Sequence, residues 1–570
     1  MQIQAQNISA GFNTRSAIIL YAIIIGVPLG ALLAVVLLGS PLFESNDDTG
    51  LSMLGAGFGL AVEPEPHLIF SHFGYGVLLN VVSRFAGPNA HGWTTLAALG
   101  LSMGLFARAL CARLPASLQG SQRGSLQLSL CIPACALIAG IGCVFVRATL
   151  DPQFTITASL LFAAAIGCWL ALLRNGARSP GLATVIYGAL VLSFLIRPSA
   201  AMLGLIVVGP GLVWLAWLGP KESRQPTCRM LAGLAALGLL IFLTDKAAYA
   251  FSANWRDAIE YNQIRSLFND YYRIPWIPGA PEYAKVGWSA NDHAMFMMWY
   301  SLHPIFDYEN IKYLAQTLLL QAPLLVLSGV RGWLTTLKDS PLLISLAVVQ
   351  LLSCVLPSRH RIFIVLVTIG ILAALIFSGL TGRPPLFRVQ FSAFGIAALC
   401  TLPCWLDTEN GSNLFRKLAS GLLVAVGLFA GTKAVHVHEE RVVEAVAYRA
   451  KLSEVKPYFS GMVVSWRATL MWEWLITPTK VYASLDRVTV PSIGLFTKMP
   501  VMSATLRRLG IKDLGAALCT EPDVSLIALA SDVAMLQIFC ERHYHSRPSY
   551  KLVFSYPPTE IYVSAQPEPR

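Results

Sequence analysis

The sequence is poor in charged residues. Of its 570 residues only 13% are Asp, Glu, Lys or Arg, whereas 55% are hydrophobic. A soluble domain carries about 25% charged residues, roughly twice this share. The shortfall is concentrated in apolar blocks of the length that crosses a bilayer, roughly 20 residues. The sequence therefore predicts a polytopic α-helical membrane protein.

Other absences narrow the function. The sequence has no P-loop pattern of glycines and a lysine, so we do not expect this chain alone to drive transport with ATP. The net charge is +11 without any Lys/Arg-rich run, and most cations lie in short loops between apolar blocks, which is typical of the positive-inside bias. We therefore expect membrane lipid, and no nucleic acid, as a partner.

The 11 cysteines include no C-x-x-C pair, so no zinc or redox motif is predicted. Nine of them lie in or beside apolar blocks, where cysteine behaves as a small hydrophobic residue. Cys519 and Cys540 lie in the polar C-terminal part and either pair or stay reduced, since the sequence does not fix the distance between them.

The apolar blocks predict about eleven membrane spans. They cover residues 17–39, 91–110, 126–146, 154–173, 181–196, 199–217, 230–248, 341–356, 362–380, 389–406 and 418–435. The loops after the second, fourth and sixth blocks are short and basic, whereas the loop after the first has no Lys or Arg before Arg84. This bias predicts that the N-terminus lies inside and the first loop outside.

A further apolar segment, 311–330, leaves two topologies open. If it lies on the outer surface as an amphipathic or re-entrant element, eleven spans put the C-terminus outside. If it crosses the membrane, twelve spans put the C-terminus inside. We carry the eleven-span topology forward as the prediction.

The chain divides into two predicted domains. Residues 1–435 form the membrane domain with outside loops 40–90 and 249–340, and residues 436–570 form a soluble domain. In the soluble part, short β-rich runs alternate with helical stretches, which predicts a small extracytoplasmic α/β domain. His436 and His438, directly after the last span, are interpreted as part of a solvated face.

The loop after the first span is acidic and contains two adjacent carboxylates, Asp47 and Asp48. Such a pair at the end of a span is a candidate general base or metal ligand. The alternative is a solvated turn, because Asn-Asp-Asp-Thr-Gly is favourable turn and N-cap chemistry. The element that follows, HLIFSHFGYGVLLNVVSRF, is amphipathic enough to lie on the membrane. We therefore predict that the loop roofs the bundle.

Further candidates for a substrate or acceptor pocket lie in both outside loops. Asp292 and His293 stand among aromatics and methionines in VGWSANDHAMFMMW, which fits an apolar pocket with a few polar groups; the alternative is a helix N-cap. Glu63, His67 and His72 lie in the first loop. The two histidines are five residues apart and share a helical face poorly, which makes a metal site the weaker alternative for them.

Three arginines depart from the positive-inside bias. Arg197 ends the fifth span, and Arg383 and Arg388 lie between the ninth and tenth spans. A cation at the outer membrane face needs a reason. Arginine binds phosphate through bidentate hydrogen bonds, and its charge does not titrate away. The alternative is that these side chains snorkel to lipid headgroups.

The whole layout resembles the GT-C superfamily of membrane glycosyltransferases, in particular its bacterial members that use polyprenyl-phosphate sugars. The features that carry the resemblance are an inside N-terminus, a first outside loop with adjacent aspartates, an amphipathic element, many spans and an outer soluble domain. The segment NDDTGLSML…EPHLIFSHFGYGVLLNVV is similar to the first outside loop of bacterial members.

This resemblance implies an inverting enzyme that moves a sugar from a polyprenyl-phosphate carrier to a cell-envelope glycan, lipid or protein outside an inner membrane, with the C-terminal domain in the periplasm. It implies a first-loop aspartate as base, Asp47 or Asp48, with a preference for Asp48. Asp292 would belong to the roof. Arg197, Arg383 and Arg388 would hold the leaving phosphate. The adjacent pair lacks the Asp-x-Asp spacing of some metal-using members, so no cofactor is required. A divalent cation stays an alternative.

Three other functions compete with this interpretation. A transporter or flippase of lipid-linked sugars needs polar residues deep within spans, or broken helices in paired halves. A polysaccharide polymerase or ligase also uses lipid-linked sugars, and its key residues are expected in a large late outside loop. A non-enzymatic assembly subunit would use its C-terminal domain to bind a partner, and its aspartates would be inert.

Overall fold

The computed structural model describes residues 26, 30, 32–112, 135–175, 180–272, 274–318, 326–355, 360–380, 386–407, 413–454, 462–467, 469–482, 490–522 and 524–565. Helices make up most of these residues, and one five-stranded sheet lies in the C-terminal part. The protein is a multi-pass helical membrane protein with a small C-terminal sheet region, as the sequence predicts.

The first half of the chain is helical. Its elements are α1 Asn46–Ala56, α2 Phe73–Ala86, α3 Ala90–Ala112, α4 Cys135–Leu150, α5 Phe154–Asn175, α6 Pro180–Ile196, α7 Pro198–Trp217, α8 Lys221–Ala250, α9 Ala253–Ser266, α10 Pro281–Lys285, α11 Ala290–Met297 and α12 Tyr308–Leu318. The second half adds helices α13 Val326–Asp339, α14 Pro341–Val355, α15 Arg361–Leu380, α16 Phe387–Thr401, α17 Asn413–Glu454, α18 Trp472–Leu475, α19 Pro500–Arg508, α20 Leu514–Thr520 and α21 Ala530–Tyr544. The strands are β1 Met462–Trp466, β2 Ser492–Ile493, β3 Val524–Ile527, β4 Ser549–Tyr556 and β5 Thr559–Ala565.

Within the described ranges, seven helices are long and apolar enough to cross a membrane, or eight if the bent pair α13–α14 counts as one span. The shorter apolar helices α4 and α6 occupy the positions of the third and fifth predicted spans. Of the first predicted span, residues 32–38 are helical and most of the rest lies outside the described residues. These elements coincide with the spans expected from the apolar blocks.

The ambiguous segment 311–330 is described in two parts. Its first part belongs to α12, whose apolar side chains Ile311, Leu314 and Leu318 are buried against the outer loop and the sheet. Its last part begins α13, which meets α14 at an angle of 101°. The apolar face of α12 therefore packs on the second outside loop and the sheet. Residues 319–325 lie outside the described residues, and the eleven-span topology stays a prediction.

The sheet has strand order β2-β1-β3-β5-β4. Strands β2, β1 and β3 run parallel, whereas β5 is antiparallel to both β3 and β4. Successive residues of a strand point to opposite faces, and here both faces are covered. Val464 and Leu526 pack against the second outside loop, whereas Val463 and Ile527 pack against the first outside loop and the end of α17.

Three predicted features of the C-terminal part have definite outcomes. The runs at β3, β4 and β5 are strands and the two predicted helical stretches are helical, so the predicted α/β character is confirmed. Cys519 and Cys540 form a disulfide with Cα atoms 5.4 Å apart. Helix α17 runs without a break across the predicted domain boundary at 435/436, and that boundary stays a prediction. Because the sheet packs on both outside loops, loops and sheet lie on one side of the bundle.

The interpretation of His438 as solvated is wrong, although His436 is 59% exposed. His438 is buried, and its Nδ1 lies 3.0 Å from Oδ1 of Asp151, a carboxylate that also pairs with Arg147 and Arg441. Burial alone would raise the pKa of Asp151, but the charges of Arg147 and Arg441 and the contact with His438 hold that pKa below its usual range. Together these pairs fasten α17 to the loop between α4 and α5, directly below the first outside loop.

Candidate functional site

A cavity of about 380 Å³ lies where the outer ends of the membrane helices meet the second outside loop and the sheet. We call it the chamber. Its walls are Asn46, Asp47, Phe70, Arg197, Arg265, Asp270, Trp299, Arg388, Arg467, Ser492, Ile493, Gly494, Leu495 and Phe496. Three of the residues predicted from the sequence, Asp47, Arg197 and Arg388, therefore line the same space.

Asp47 and Arg388 form an ion pair in the chamber wall. Asp47 lies in the first turn of α1, where a carboxylate is favourable, and Arg388 lies in the first turn of α16. Nη1 of Arg388 donates to Oδ2 of Asp47 at 3.1 Å, and the side chains are 20% and 21% exposed. A cation at the positive end of a helix is unfavourable for that helix. Arg388 is therefore explained by the anion that it faces.

Arg197 lies at the N-terminus of α7, and two aromatic rings hold it. Its guanidinium carbon is 4.4 Å from the ring centre of Phe154 and 5.3 Å from that of Phe70. Its Nε donates to Oγ of Ser199 at 3.1 Å. Stacking on aromatic faces fixes the plane of a guanidinium and leaves its edge for hydrogen bonds. The side chain is thus oriented beside the chamber before any ligand arrives.

The outer wall holds residues that sequence analysis missed. The guanidinium of Arg265 lies 3.9 Å from the ring centre of Trp299, and its Nη2 lies 3.4 Å from Asp270. Arg467, directly after β1, is held by both oxygens of the buried Asp532 at 2.6 Å. Arg265 and Arg467 could have been found from the sequence, because both occur in segments predicted to be outside, as do Arg197, Arg383 and Arg388.

Backbone strain is concentrated in this outer wall. Four non-glycine residues of the described chain have positive φ, and two of them, Trp299 at 67° and Arg467 at 59°, line the chamber. Such a conformation costs of order 1–3 kcal/mol and persists only where the surroundings enforce it. Here the Arg265–Trp299 stack and the Arg467–Asp532 pair do so, which is typical of a functional site.

The chamber wall is electropositive. It contains four arginines and two aspartates, Asp47 and Asp270, and the buried Asp532 pairs with Arg467 from behind the wall, which leaves one positive charge in excess. The N-termini of α7 and α16 also lie here with Arg197 and Arg388, and the positive ends of helix dipoles add to this field. The chamber is therefore suited to an anion with several oxygens.

Asp48 does not line the chamber. It is fully buried, and Ser45 Oγ donates to its Oδ2 at 2.8 Å while the backbone N–H of Phe154 donates to its Oδ1 at 2.8 Å. Nε2 of His91 also lies 3.2 Å from Oδ1, and Nδ1 of the same ring lies 3.0 Å from Oη of Tyr75. Asp48 thus fastens α1 to α3 and α5. His91, a polar residue at the start of an apolar span, was the signal that sequence analysis passed over.

Asp292 and His293 lie in the outer layer, away from the chamber wall. Asp292 caps α11 together with Ser289 and pairs with His543 at 2.8 Å and with Arg542 at 3.2 Å. His293 is buried with its Nε2 2.9 Å from the carbonyl oxygen of Ile274, and burial lowers its pKa. Asp292 therefore belongs to the N-terminal cap of α11, which is the alternative that the sequence left open for it.

The first-loop residues assigned to a substrate pocket are likewise not brought to the chamber. Glu63 is exposed. His67 lies 2.6 Å from Glu65 and its ring stacks on Trp255, and His72 caps α2 by accepting from the N–H of Gly74. Arg383 lies outside the described residues.

A third carboxyl, that of Glu473, lies close to Asp47 and Asp48. Glu473 of α18 packs beside the first loop, and its Oε2 is buried without a hydrogen-bond partner among the described residues. Burial raises the pKa of Glu473 to about 7, against the effect of Arg441, and the charges of Asp47 and Asp48 raise it further.

The aspartate pair does not form a cation site of two converging carboxylates. Both oxygens of Asp48 already accept hydrogen bonds, and Asp47 is paired with Arg388. Within the part of the chain that the structure describes, no group of three or more His, Cys, Asp or Glu side chains is arranged to hold a metal.

An apolar groove of about 480 Å³ leads away from the chamber along the membrane bundle, between α7 and α8. Its walls include Phe194, Pro198, Met202, Leu239 and Phe242, of which Met202, Leu239 and Phe242 are about half exposed at the lipid-facing surface. Because Pro198 follows Arg197 directly, the groove ends beside a cation of the chamber. We call it the lipid-facing groove.

Comparisons with known proteins give one likeness. No protein-family model matches the sequence, and no curated protein matches it. Among solved structures, this chain is similar to the crystal structure of ArnT from Cupriavidus metallidurans bound to undecaprenyl phosphate. The TM-score is 0.42 with 11% sequence identity, and the alignment covers 96% of this chain and 98% of that chain.

Proposed function

We propose that this protein is a membrane glycosyltransferase of the GT-C type. It moves a sugar from a polyprenyl-phosphate donor to an acceptor on the outer side of a bacterial inner membrane, with inversion at the sugar carbon. The observation that carries the proposal is the convergence of one carboxylate, Asp47, with Arg197 and Arg388 in a single chamber at the rim of the bundle.

The donor fits the two spaces described above. Its phosphate binds in the chamber, where guanidinium groups offer bidentate hydrogen bonds. Its polyprenyl chain lies in the lipid-facing groove, whose apolar walls begin at Pro198 next to Arg197. A lipid-linked donor reaches its site from within the bilayer, so a groove that opens to lipid and ends at a cation is the required geometry.

Asp47 acts as the base. The acceptor hydroxyl gives its proton to the carboxylate while its oxygen forms a bond to the anomeric carbon. The bond between that carbon and the phosphate oxygen breaks, and polyprenyl phosphate leaves with the electron pair. Arg197 and Arg388 stabilise the charge that develops on this phosphate. No covalent intermediate with the protein is required.

The ion pair of Asp47 with Arg388 connects donor binding to catalysis. While Arg388 holds Asp47, one oxygen of the carboxylate is occupied by the ion pair. An incoming phosphate competes for Arg388 and releases the carboxylate toward the acceptor. Asp48 has a supporting role in this scheme, since its oxygens are committed to Ser45, Phe154 and His91.

The decisive test uses the purified protein in lipid nanodiscs with a polyprenyl phosphate that carries a labelled sugar, and membranes of the source organism as acceptor. If the protein transfers the sugar, the label leaves the donor lipid and polyprenyl phosphate is released in equal amount. A transporter or flippase would leave the labelled lipid intact, and a non-enzymatic subunit would leave it unchanged. Either of those two results would contradict the proposal.

A further inference from the structure

A second polar cavity lies next to the chamber, on the outer side. It has a volume of about 480 Å³, and α9, the start of α12 and the start of α19 enclose it. Its walls include Asp257, Tyr261, Asp307, Tyr308, Lys498 and Arg507. We call it the polar groove. The glycosyl transfer proposed above assigns it no role.

The polar groove adjoins the chamber along two segments of the chain. On α9, Ala258 and Tyr261 line the groove and Arg265 lines the chamber. Residues four apart lie on one face of a helix, about 6 Å along its axis. In the C-terminal part, the chamber wall ends at Phe496 and the groove wall begins at Lys498. The two cavities therefore lie about one turn of α9 apart.

The charges of the two cavities differ. The chamber wall has an excess of positive charge, whereas the polar groove carries two carboxylates, Asp257 and Asp307, and two cations, Lys498 and Arg507. A balanced set of donors and acceptors suits a neutral ligand that is rich in hydroxyl groups, because each hydroxyl both donates and accepts. The rings of Tyr261 and Tyr308 add flat apolar surface between these polar groups.

Lys498 points to a ligand more directly. Its side chain is partly buried in the groove wall, and within the described residues its ammonium makes no hydrogen bond and no ion pair; the centroid of the Tyr261 ring lies 5.9 Å from it. Burial lowers the pKa of Lys498, and Asp307 and Asp513 oppose that effect. The ammonium is thus a donor that a ligand in the groove can use in place of water.

Two groove residues are already fixed in place. Oη of Tyr261 donates to the carbonyl oxygen of Phe306 at 3.1 Å, and Oδ1 of Asp307 accepts from the N–H of Asn310 at 2.8 Å, which caps α12. Asp307 is exposed, and its other oxygen stays available to a ligand. The groove is thus preorganised rather than an accidental gap.

We infer that the polar groove binds the saccharide part of the acceptor, a neutral, hydroxyl-rich glycan, and delivers one of its hydroxyl groups to Asp47. This inference rests on the proposed glycosyl transfer. It adds to that proposal the acceptor class and the residues that select it.

Steady-state transfer with the full-length protein in nanodiscs tests the inference. Lys498→Met keeps the apolar stem and Asp307→Asn keeps the helix cap, so both variants are expected to fold. Each should raise the apparent KM for acceptor membranes about fivefold or more, which corresponds to the loss of one hydrogen bond, while the Kd for polyprenyl phosphate stays unchanged. Arg507→Ala should act in the same way, and Arg508→Ala is the matched control outside the groove. An unchanged KM in all three groove variants would overturn the inference.

A second measurement separates this inference from the proposed transfer. A photoreactive p-benzoylphenylalanine replaces Ser503 in the groove, or the exposed Leu509 outside it, and adducts are formed in living cells. A glycan-bearing adduct at position 503 and not at 509 is the expected result. If that adduct forms but the wild-type protein transfers no sugar, the groove stands and the enzymatic proposal fails. If transfer occurs but position 503 yields no glycan or only unglycosylated protein, the groove inference fails.

Discussion

Oδ2 of Asp47 lies 3.1 Å from Nη1 of Arg388, although 341 residues separate them in the chain. The fold thereby joins the first outside loop to the start of α16. The pair closes one wall of a chamber that also contains Arg197. In the proposed mechanism an anion in that chamber competes with Asp47 for Arg388, and the pair thereby relates donor binding to the state of the base.

Arg388→Ala should weaken the binding of polyprenyl phosphate. Removing a guanidinium that makes charge-assisted hydrogen bonds to phosphate costs about 1.5–3 kcal/mol, which is roughly a 10- to 100-fold increase in Kd. Binding of fluorescent polyprenyl phosphate to the protein in nanodiscs measures this change. Arg547→Ala is the control, since Arg547 is 63% exposed and pairs only weakly with Glu541. Equal Kd values for the two variants would argue against a phosphate role for Arg388.

Asp48→Asn should reduce stability more than it affects the chemistry. The carboxylate of Asp48 is fully buried and accepts from Ser45, Phe154 and His91, so the amide leaves at least one of these groups poorly paired. A loss of about 2 kcal/mol is expected. Thermal unfolding of the purified variant should start at a lower temperature, with donor affinity retained at low temperature. Wild-type thermal stability combined with abolished transfer would instead make Asp48 the base.

Glu473→Gln should flatten the pH dependence of stability. The pKa of Glu473 is raised by burial from 4.5 to about 7 in the folded protein. A raised carboxyl pKa stabilises the folded state below the unfolded-state pKa, and this contribution is lost as the pH rises through about 7. The wild-type unfolding temperature should therefore fall between about pH 5 and about pH 8 by more than that of the variant. Parallel curves for the two proteins would contradict the assignment.

The Cys519–Cys540 disulfide predicts how the C-terminal part responds to thiol reagents. Both cysteines are buried, so they are labelled with maleimide after the cells are lysed in denaturant. Disulfides persist in oxidising compartments outside the cytosol, so neither cysteine should react until a reductant is added. Cys519→Ser should free Cys540 for labelling in denaturant and cost about 2–4 kcal/mol. Mass spectrometry of the labelled peptides checks both points. Labelling of both cysteines without reductant would place this part of the chain in a reducing compartment.

Much of the membrane part follows from the sequence, because a span requires a long apolar run and few other structures use one. Helices α5, α7 and α15 begin and end within a few residues of their predicted bounds. The C-terminal strands β3 to β5 were also found from their β-rich runs. The parallel strands β1 and β2 were not predicted, and β2 is too short for its two residues to show a period. The run KVYASL was predicted as β-rich, but of its described residues 480–482 only Val481 forms an isolated bridge, with Ile476.

The site was predictable only in part. Asp47, Arg197 and Arg388 were found because charge at the outer rim of a bilayer is unusual. This property can be recognised from the neighbouring residues in the sequence alone. Which of two adjacent aspartates faces the chamber depends on the pitch of α1 against α3 and α5, and the sequence does not contain that information. Arg265 and Arg467 come from segments whose approach is set by packing between the sheet and the second outside loop.

The rate of sugar transfer by Asp47→Asn in nanodiscs, with saturating labelled donor, tests the central claim most directly. Loss of a positioned general base predicts a fall of about 10²- to 10⁴-fold in kcat, with unchanged thermal unfolding and a Kd for polyprenyl phosphate no higher than that of the wild type, because Arg388 is no longer held by a carboxylate. Glu541→Gln, which removes an exposed carboxylate of the same charge, should transfer at the wild-type rate. Transfer by Asp47→Asn at the rate of Glu541→Gln would contradict the account.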